Sequence, residues 1–146
     1  MQRYFTYDQA SRLLPEIERL LRMLLEARQA YAEAEGKLSS LRAQLNQAGG
    51  MSLEPARVRR MAEEREESAA LANYSLESIG ELGVQVKDLD LGLVDFPTLY
   101  RGEEVLLCWR LGEHGITHWH GLEEGFRGRR PVDGDFLDNH AGSGLH

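Results

Sequence analysis

The chain has 146 residues and a formal net charge of −7. This length is that of one ordinary domain, and the acidic balance argues against a general nucleic-acid binder, which would carry a basic face. One cysteine excludes an intramolecular disulfide, and no apolar stretch approaches the roughly twenty residues that span a bilayer. We therefore expect a cytoplasmic protein with neither nucleic acid nor membrane as a partner.

The first predicted element is a long helix. Thr6 and Gln9 have the spacing of a capping box, so the helix should begin near Tyr7. Apolar residues then recur at heptad a and d positions, a pattern typical of coiled-coil packing. These residues are Ala10, Leu13, Ile17, Leu20, Leu24, Ala27, Tyr31, Ala34, Leu38, Leu41 and Leu45. Pro15 lies inside the pattern and predicts either a bend or a start of the regular helix at Leu14.

A second helix follows a predicted break. Gly49 and Gly50 favour a left-handed stop, and Ser52 can cap a helix whose first turn contains Pro55. The apolar stripe of this helix is small, which suits close approach to the leucine-rich first helix, and the short connection favours an antiparallel pair. Such a hairpin cannot bury all its apolar residues alone. We therefore expect a homodimer, with a protein partner on the hairpin as an alternative.

The character of the sequence changes after Gly83. Residues 84–89 alternate between apolar and polar, and with residues 104–111 and 116–120 they predict short strands. A further loop or strand ends at Pro97. A turn is predicted at Arg101-Gly102-Glu103, between the segment that ends at Pro97 and residues 104–111. The strands should therefore form a small antiparallel sheet.

Together these elements predict an α+β fold, mainly α, in which a long antiparallel two-helix hairpin of the coiled-coil type carries a small antiparallel β cap. The predicted single domain covers residues 1–131, with helix 1 at 7–48, helix 2 at 53–82 and the cap at 84–131. Residues 132–146 are rich in glycine, aspartate and asparagine and have little to bury, so they predict a flexible tail.

Candidate metal ligands cluster in the cap. On a strand, His118 and His120 project to the same side, and Glu113 lies across a short turn from them. Two histidines and a carboxylate suit zinc first, with iron or manganese as alternatives. Further acids could complete the ligand shell. They are Asp95, in the segment that ends at Pro97, and Glu77 and Glu81, near the end of the second helix, where the sheet should pack.

The same segment also has an interpretation without a metal ion. In that interpretation a histidine is hydrogen-bonded to Glu113 and buried against Trp109 or Trp119. Cys108 has apolar neighbours and is expected to be a buried thiol. A basic cluster in the glycine-rich segment could bind an anion, or could be solvated or paired with the protein's own acids. It consists of Arg127, Arg129 and Arg130.

Several motifs are distributed along the chain as far as about Pro131. They are Tyr4-Phe5-Thr6, Val86-Lys87-Asp88, Gly92 to Pro97, Leu107 to Glu113, Trp119-His120 and Gly125 to Arg129. Together they resemble a bacterial family known as domain of unknown function 2203, whose label implies no reaction. The resemblance places Glu113, His120 and Asp95 on family motif positions, whereas the position of His118 often holds an aromatic residue. It therefore implies a metal site centred on Glu113 and His120, with acids from the second helix and His118 as an auxiliary ligand.

Three functions are compatible with these residues. The first is a small cytoplasmic protein that binds a divalent transition metal in its cap, for metal handling or stress response. The second is a non-catalytic helical hairpin that binds a protein partner and no metal. The third is a small metal-dependent enzyme, which would need an open coordination position and a general base such as Asp95 or Glu81.

Overall fold

The computed structural model describes residues 2–47 and 55–143. The stop predicted at Gly49 and Gly50 and the cap predicted at Ser52 lie outside these residues. Within them, no helix is both long enough and apolar enough to cross a membrane.

The chain forms two long helices followed by an antiparallel sheet, which confirms the predicted α+β fold class. The elements are α1 (Tyr7–Gln47), α2 (Pro55–Glu81), β1 (Gln85–Asp88), β2 (Leu93–Tyr100), β3 (Glu103–Arg110), β4 (His118–Gly121), a 3-10 turn (Phe126–Gly128), β5 (Arg130–Pro131), α3 (Gly134–Asn139) and β6 (His140–Ala141). They divide into two compact units, one of residues 1–21 and 77–146 and the other of residues 22–76.

The start of α1 has the predicted capping box. The amide of Thr6 donates to Oε1 of Gln9 at 2.9 Å, and the amide of Gln9 donates to Oγ1 of Thr6 at 3.1 Å. The helix continues through Pro15, so a start at Leu14 is wrong. The capping box and the burial of Ala10 stabilise the first turns and outweigh the backbone hydrogen bond that proline cannot make.

In the unit of residues 22–76, α1 and α2 run antiparallel. Arg65 of α2 pairs with Glu35 of α1 at 3.1 Å. Met61, earlier in α2, shares a cavity with Leu41, later in α1. The predicted heptad stripe supplies the buried residues of α1 here, which are Leu24, Ala27, Ala34, Leu38 and Leu41.

The other unit is built on a six-stranded sheet in the order β1-β2-β3-β4-β5, with β6 beside β2. Because side chains alternate along a strand, register partners share a face of the sheet. One face carries Val94, Phe96, Leu107, Trp109 and Trp119, all buried. Phe5 packs edge-on against Phe96 with ring centroids 5.4 Å apart. This face forms the core of the unit.

Strand β2 continues through Pro97, where the sequence predicts an end. The carbonyl of Pro97 accepts a 2.7 Å hydrogen bond from the amide of Phe5. The nitrogen of a strand residue points to the same side as its carbonyl, so both face away from β3. The missing N–H therefore removes no hydrogen bond between β2 and β3. On that outer side, β1 pairs with residues 93–95 and β6 with residues 99–100, and Phe5 fills the interval.

A helix and a strand occupy the segment predicted as a flexible tail, 132–146, and this corrects the prediction. Asp133 caps α3 by accepting a 2.9 Å hydrogen bond from the amide of Phe136. The Phe136 ring is 1% exposed and lies 5.2 Å from the Tyr100 ring and 5.0 Å from the Trp119 ring. The polar composition concealed this aromatic anchor, which holds the segment together with the pairing of β6 and β2.

Candidate metal centre

Asp95 on β2 and Cys108 on β3 are register partners, and their side chains share the second face of the sheet. Because the Pro97 carbonyl points away from β3, Pro97 and Leu106 form a non-hydrogen-bonded pair. Asp95 and Cys108 lie two positions further along and form a pair of the same kind, in which Cα atoms approach to about 4.5 Å. The Cys108 sulfur and the nearer Asp95 carboxylate oxygen lie within 4.8 Å of each other. Local strand geometry thus brings a thiol and a carboxylate together.

His120 reaches the same face from β4. Its Nε2 lies 3.2 Å from the Asp95 carboxylate, and its Nδ1 lies 2.8 Å from the carbonyl oxygen of Gly121. A carbonyl oxygen only accepts hydrogen bonds, so Nδ1 carries a proton and Nε2 is the nitrogen directed at Asp95. A backbone carbonyl that orients the second ring nitrogen in this way is usual for metal-binding histidines.

The possible ligand atoms of Asp95, Cys108 and His120 lie within 4.8 Å of one another, and all three residues are buried. Among the described residues they are the single such group of three or more acidic, cysteine or histidine side chains. A tetrahedral zinc ion at its usual bond lengths holds nitrogen, oxygen and sulfur ligands about 3.3–3.6 Å apart. The distance of 3.2 Å between Nε2 of His120 and the Asp95 carboxylate is already close to this range. Small side-chain movements would therefore complete a three-ligand site.

Burial sets the protonation of this group. It raises the pKa of Asp95, while the positive charges of His120 and Lys87 act in the opposite direction. Burial, together with the Asp95 carboxylate, raises the pKa of Cys108 to about 12. Without an ion the thiol keeps its proton near neutral pH. A divalent cation bound by the group would displace this proton, because the thiolate is the form of cysteine that binds a metal.

A cavity of about 130 Å³ adjoins the group. Apart from the three candidate ligands, it is lined by Lys87, Leu93, Leu106, Leu122, Gly125 and Phe126. The last three belong to the loop after β4. At Gly128 of this loop a Cβ atom would lie 2.4 Å from Cβ of Glu124, so the loop requires glycine there. The cavity therefore has one wall made by a tightly folded loop.

Glu113 lies outside the group and holds this loop. Its carboxylate accepts hydrogen bonds from Arg129 at 2.8 and 3.0 Å, and one from the amide of Arg110 at 2.7 Å. The Arg129 guanidinium lies over the ring of Phe126, 4.6 Å from its centroid. Glu113 thus acts on the cavity indirectly, through Arg129 and Phe126. The buried histidine pairs with Asp95 and not with Glu113.

The remaining predicted residues also lie outside the group. His118 is on the same face as His120, as the alternation predicts, but its Nδ1 contacts the hydroxyl of Thr117 at 2.8 Å. Glu77 and Glu81 are exposed on α2. In the basic cluster, Arg129 pairs with Glu113 and Arg130 with Glu124, whereas Arg127 is exposed.

Sequence reasoning missed Cys108 as a member of the group, although a signal was available. Arg101 and Gly102 both have positive φ and form a two-residue hairpin turn that pairs Tyr100 with Glu103. The residue five positions before Tyr100 on β2 is Asp95, and the residue five positions after Glu103 on β3 is Cys108. The two-residue length of this turn, one residue shorter than the sequence predicts, therefore fixes the register that brings the two residues together.

Residues 3–132 match the sequence profile of a family described as Uncharacterized conserved protein (DUF2203). The chain belongs to the DUF2203 family. This confirms the resemblance noted from the motifs, and the matched range contains all three residues of the candidate centre. No curated protein and no solved structure was found to be similar to this DUF2203 chain. The family description states no ligand or reaction, so its function has to be argued from the geometry.

Proposed function

We propose that this DUF2203 protein binds a divalent transition-metal ion through Asp95, Cys108 and His120, with zinc as the preferred ion. The supporting observation is the convergence of three buried donors of different chemical types within 4.8 Å. Zinc accepts thiolate, imidazole and carboxylate ligands, and iron(II) is the next candidate. Manganese prefers oxygen ligands, so a thiolate in the set disfavours it.

The binding is proposed to be reversible. In the absence of an ion, the Asp95 carboxylate has the Cys108 thiol and Nε2 of His120 as partners, and Nδ1 has the carbonyl of Gly121. Since these buried polar groups are satisfied, a folded apo state is available, unlike in zinc fingers, which are unfolded without metal. A protein that is folded both with and without its ion suits metal handling better than a purely structural zinc site.

Metal content measured by plasma mass spectrometry on protein purified without a histidine tag tests the proposal. We expect about one zinc ion per chain in the natural sequence, and loss of the ion in Cys108→Ala and His120→Ala. Matched controls are His118→Ala, two residues away on the same strand, and Glu113→Gln, and both should retain the ion. A natural protein that stays metal-free after incubation with zinc, iron(II) and manganese would contradict the proposal, as would zinc retained in both ligand variants.

The proposal stops at binding and does not extend to catalysis. Among the described residues that line the cavity, Lys87 is the one titratable group outside the ligand set. An ammonium group has no lone pair with which to accept a proton, so it is not a general base. Asp95 would be engaged by the metal, and Glu81 does not line the cavity.

Exposed apolar side chains in the unit of residues 22–76 support a second candidate function. Tyr31 is 39% exposed, Leu71 42% and Tyr74 58%. Aromatic residues are enriched at protein interfaces, so we propose that this surface binds a second copy of the chain. Light scattering of the full chain should then report a dimer that Tyr74→Glu weakens, with Asn73→Glu as the neighbouring control. A monomeric natural protein would contradict this proposal and leave the metal site unaffected.

A further inference from the structure

We infer that the cavity beside Asp95, Cys108 and His120 takes a small anion, which binds the metal ion at its fourth position and is held in place by Lys87. This inference rests on the proposed metal binding by the three residues. It adds the class of external ligand that binds at that same site.

The coordination number requires a ligand that the surrounding side chains do not supply. Three protein ligands leave one position of a tetrahedral ion open. The three residues themselves line the cavity, so the open position faces it. The other walls include the aliphatic side chains of Leu93, Leu106 and Leu122, which offer no ligand atom. The fourth ligand must therefore enter from outside.

The size of the cavity limits what can enter. Its volume of about 130 Å³ is far below the roughly 300–1,000 Å³ of pockets for drug-sized ligands. At about 30 Å³ per water molecule it corresponds to about four waters. An anion of three or four heavy atoms, such as azide, formate or acetate, fits this space.

The charge balance favours an anion over water. A divalent ion, the Asp95 carboxylate and the Cys108 thiolate sum to zero. Lys87 adds one positive charge at the wall of the cavity. With the residues that the structure describes, its ammonium group forms neither an ion pair nor a hydrogen bond. A bound monoanion would be attracted by this charge, whereas a neutral water molecule would not, although the exposure of Lys87 screens part of the attraction.

Cobalt(II) in place of zinc makes the site visible, because its absorption spectrum reports the ligand set. We would titrate the cobalt-loaded full chain with azide and formate. Both should change the spectrum saturably. Lys87→Met should weaken azide binding roughly three- to tenfold, since the lysine is exposed and its charge is partly screened. Lys87→Arg keeps the charge and should keep the affinity, and Lys37→Met, which changes the other lysine, is the matched control.

The outcomes separate this inference from the proposal beneath it. A cobalt spectrum with thiolate-to-metal charge transfer that does not respond to azide would overturn the anion site and leave metal binding intact. Equal azide affinity in the natural protein and Lys87→Met would overturn the role of Lys87. Failure to bind cobalt would overturn the proposed function and this inference together.

Discussion

The carboxylate of Asp95 lies 3.2 Å from Nε2 of His120 although 25 residues separate the two in the sequence. Strand β3 lies between their strands, which places their backbones nearly two strand spacings, about 9–10 Å, apart. The two side chains meet above β3, and on this face β3 carries Cys108. A cation bound between Asp95 and His120 is therefore within reach of the thiol as well.

Metal uptake should release about one proton per ion near neutral pH. It comes from Cys108, whose pKa is raised to about 12. Because this proton competes with the ion, the apparent zinc affinity should rise with pH. Calorimetry in buffers of different ionisation enthalpy counts the protons, and Cys108→Ser should release about one fewer. Zinc binding without proton release would contradict the assigned ligands.

Without metal, the buried thiol should make stability depend on alkaline pH. Burial raises the pKa of Cys108 from 9.0 to about 12, so the folded state keeps a proton that the unfolded state loses. Its contribution to stability is complete below about pH 9 and is lost as the pH rises toward 12. Between about pH 8 and 10.5, the urea midpoint of the natural apo protein should fall more steeply than that of Cys108→Ala. Parallel curves for the two proteins would argue against a protonated buried thiol.

Glu113 should matter for stability and not for metal content. The side chains of Glu113 and Arg129 are 26% and 13% exposed. Glu113→Ala leaves a mostly buried guanidinium without its carboxylate, at a cost of about 2–3 kcal/mol. Arg129→Met should cost less, because it removes the buried cation and the remaining carboxylate still accepts from the amide of Arg110. Urea unfolding measures both costs. Loss of zinc from a folded Glu113→Gln protein would instead make Glu113 a ligand, as the sequence predicts.

Phe136 should anchor the segment after β5. Phe136→Ala removes a ring in contact with Tyr100 and Trp119 and should lower the free energy of unfolding by about 3–5 kcal/mol. Leu137→Ala is the matched control, because that side chain is 42% exposed and its loss should cost no more than about 0.5 kcal/mol. Thermal unfolding of both variants checks the difference. Equal effects would mean that α3 contributes little to the core.

Local signals predicted most of the fold. The capping box of Thr6 and Gln9 depends on contacts three residues apart, and the heptad stripe of α1 depends on a helical repeat, so both can be read without knowledge of the tertiary structure. The order of the polar segment after Pro131 could not be read in this way. It depends on where Phe136 meets Tyr100 and Trp119, which is a long-range contact.

The candidate site was predicted in part. The sequence predicts Asp95 and His120 as candidate ligands, but its metal-free interpretation pairs the histidine with Glu113, which is close to His120 in sequence, whereas Asp95 is close through the sheet. Strand register decides such contacts, and a change of one residue would reverse every side chain. The turn at Arg101 and Gly102 contained that information, which a reading of each strand by itself does not use.

The outer side of β2 is completed by segments that are far apart in the sequence and are therefore synthesised at different times. The amide of Phe5 donates a hydrogen bond to the carbonyl of Pro97, and β6 pairs with Leu99 and Tyr100. Beside them, the carbonyl of Tyr4 accepts a 2.8 Å hydrogen bond from the amide of Ser143. In a nascent chain, part of the outer edge of β2 therefore stays unpaired until residues 140–143 have emerged. Open strand edges pair readily with other chains. The growing polypeptide should be most prone to wrong association in that interval, and pairing of β6 with β2 ends it.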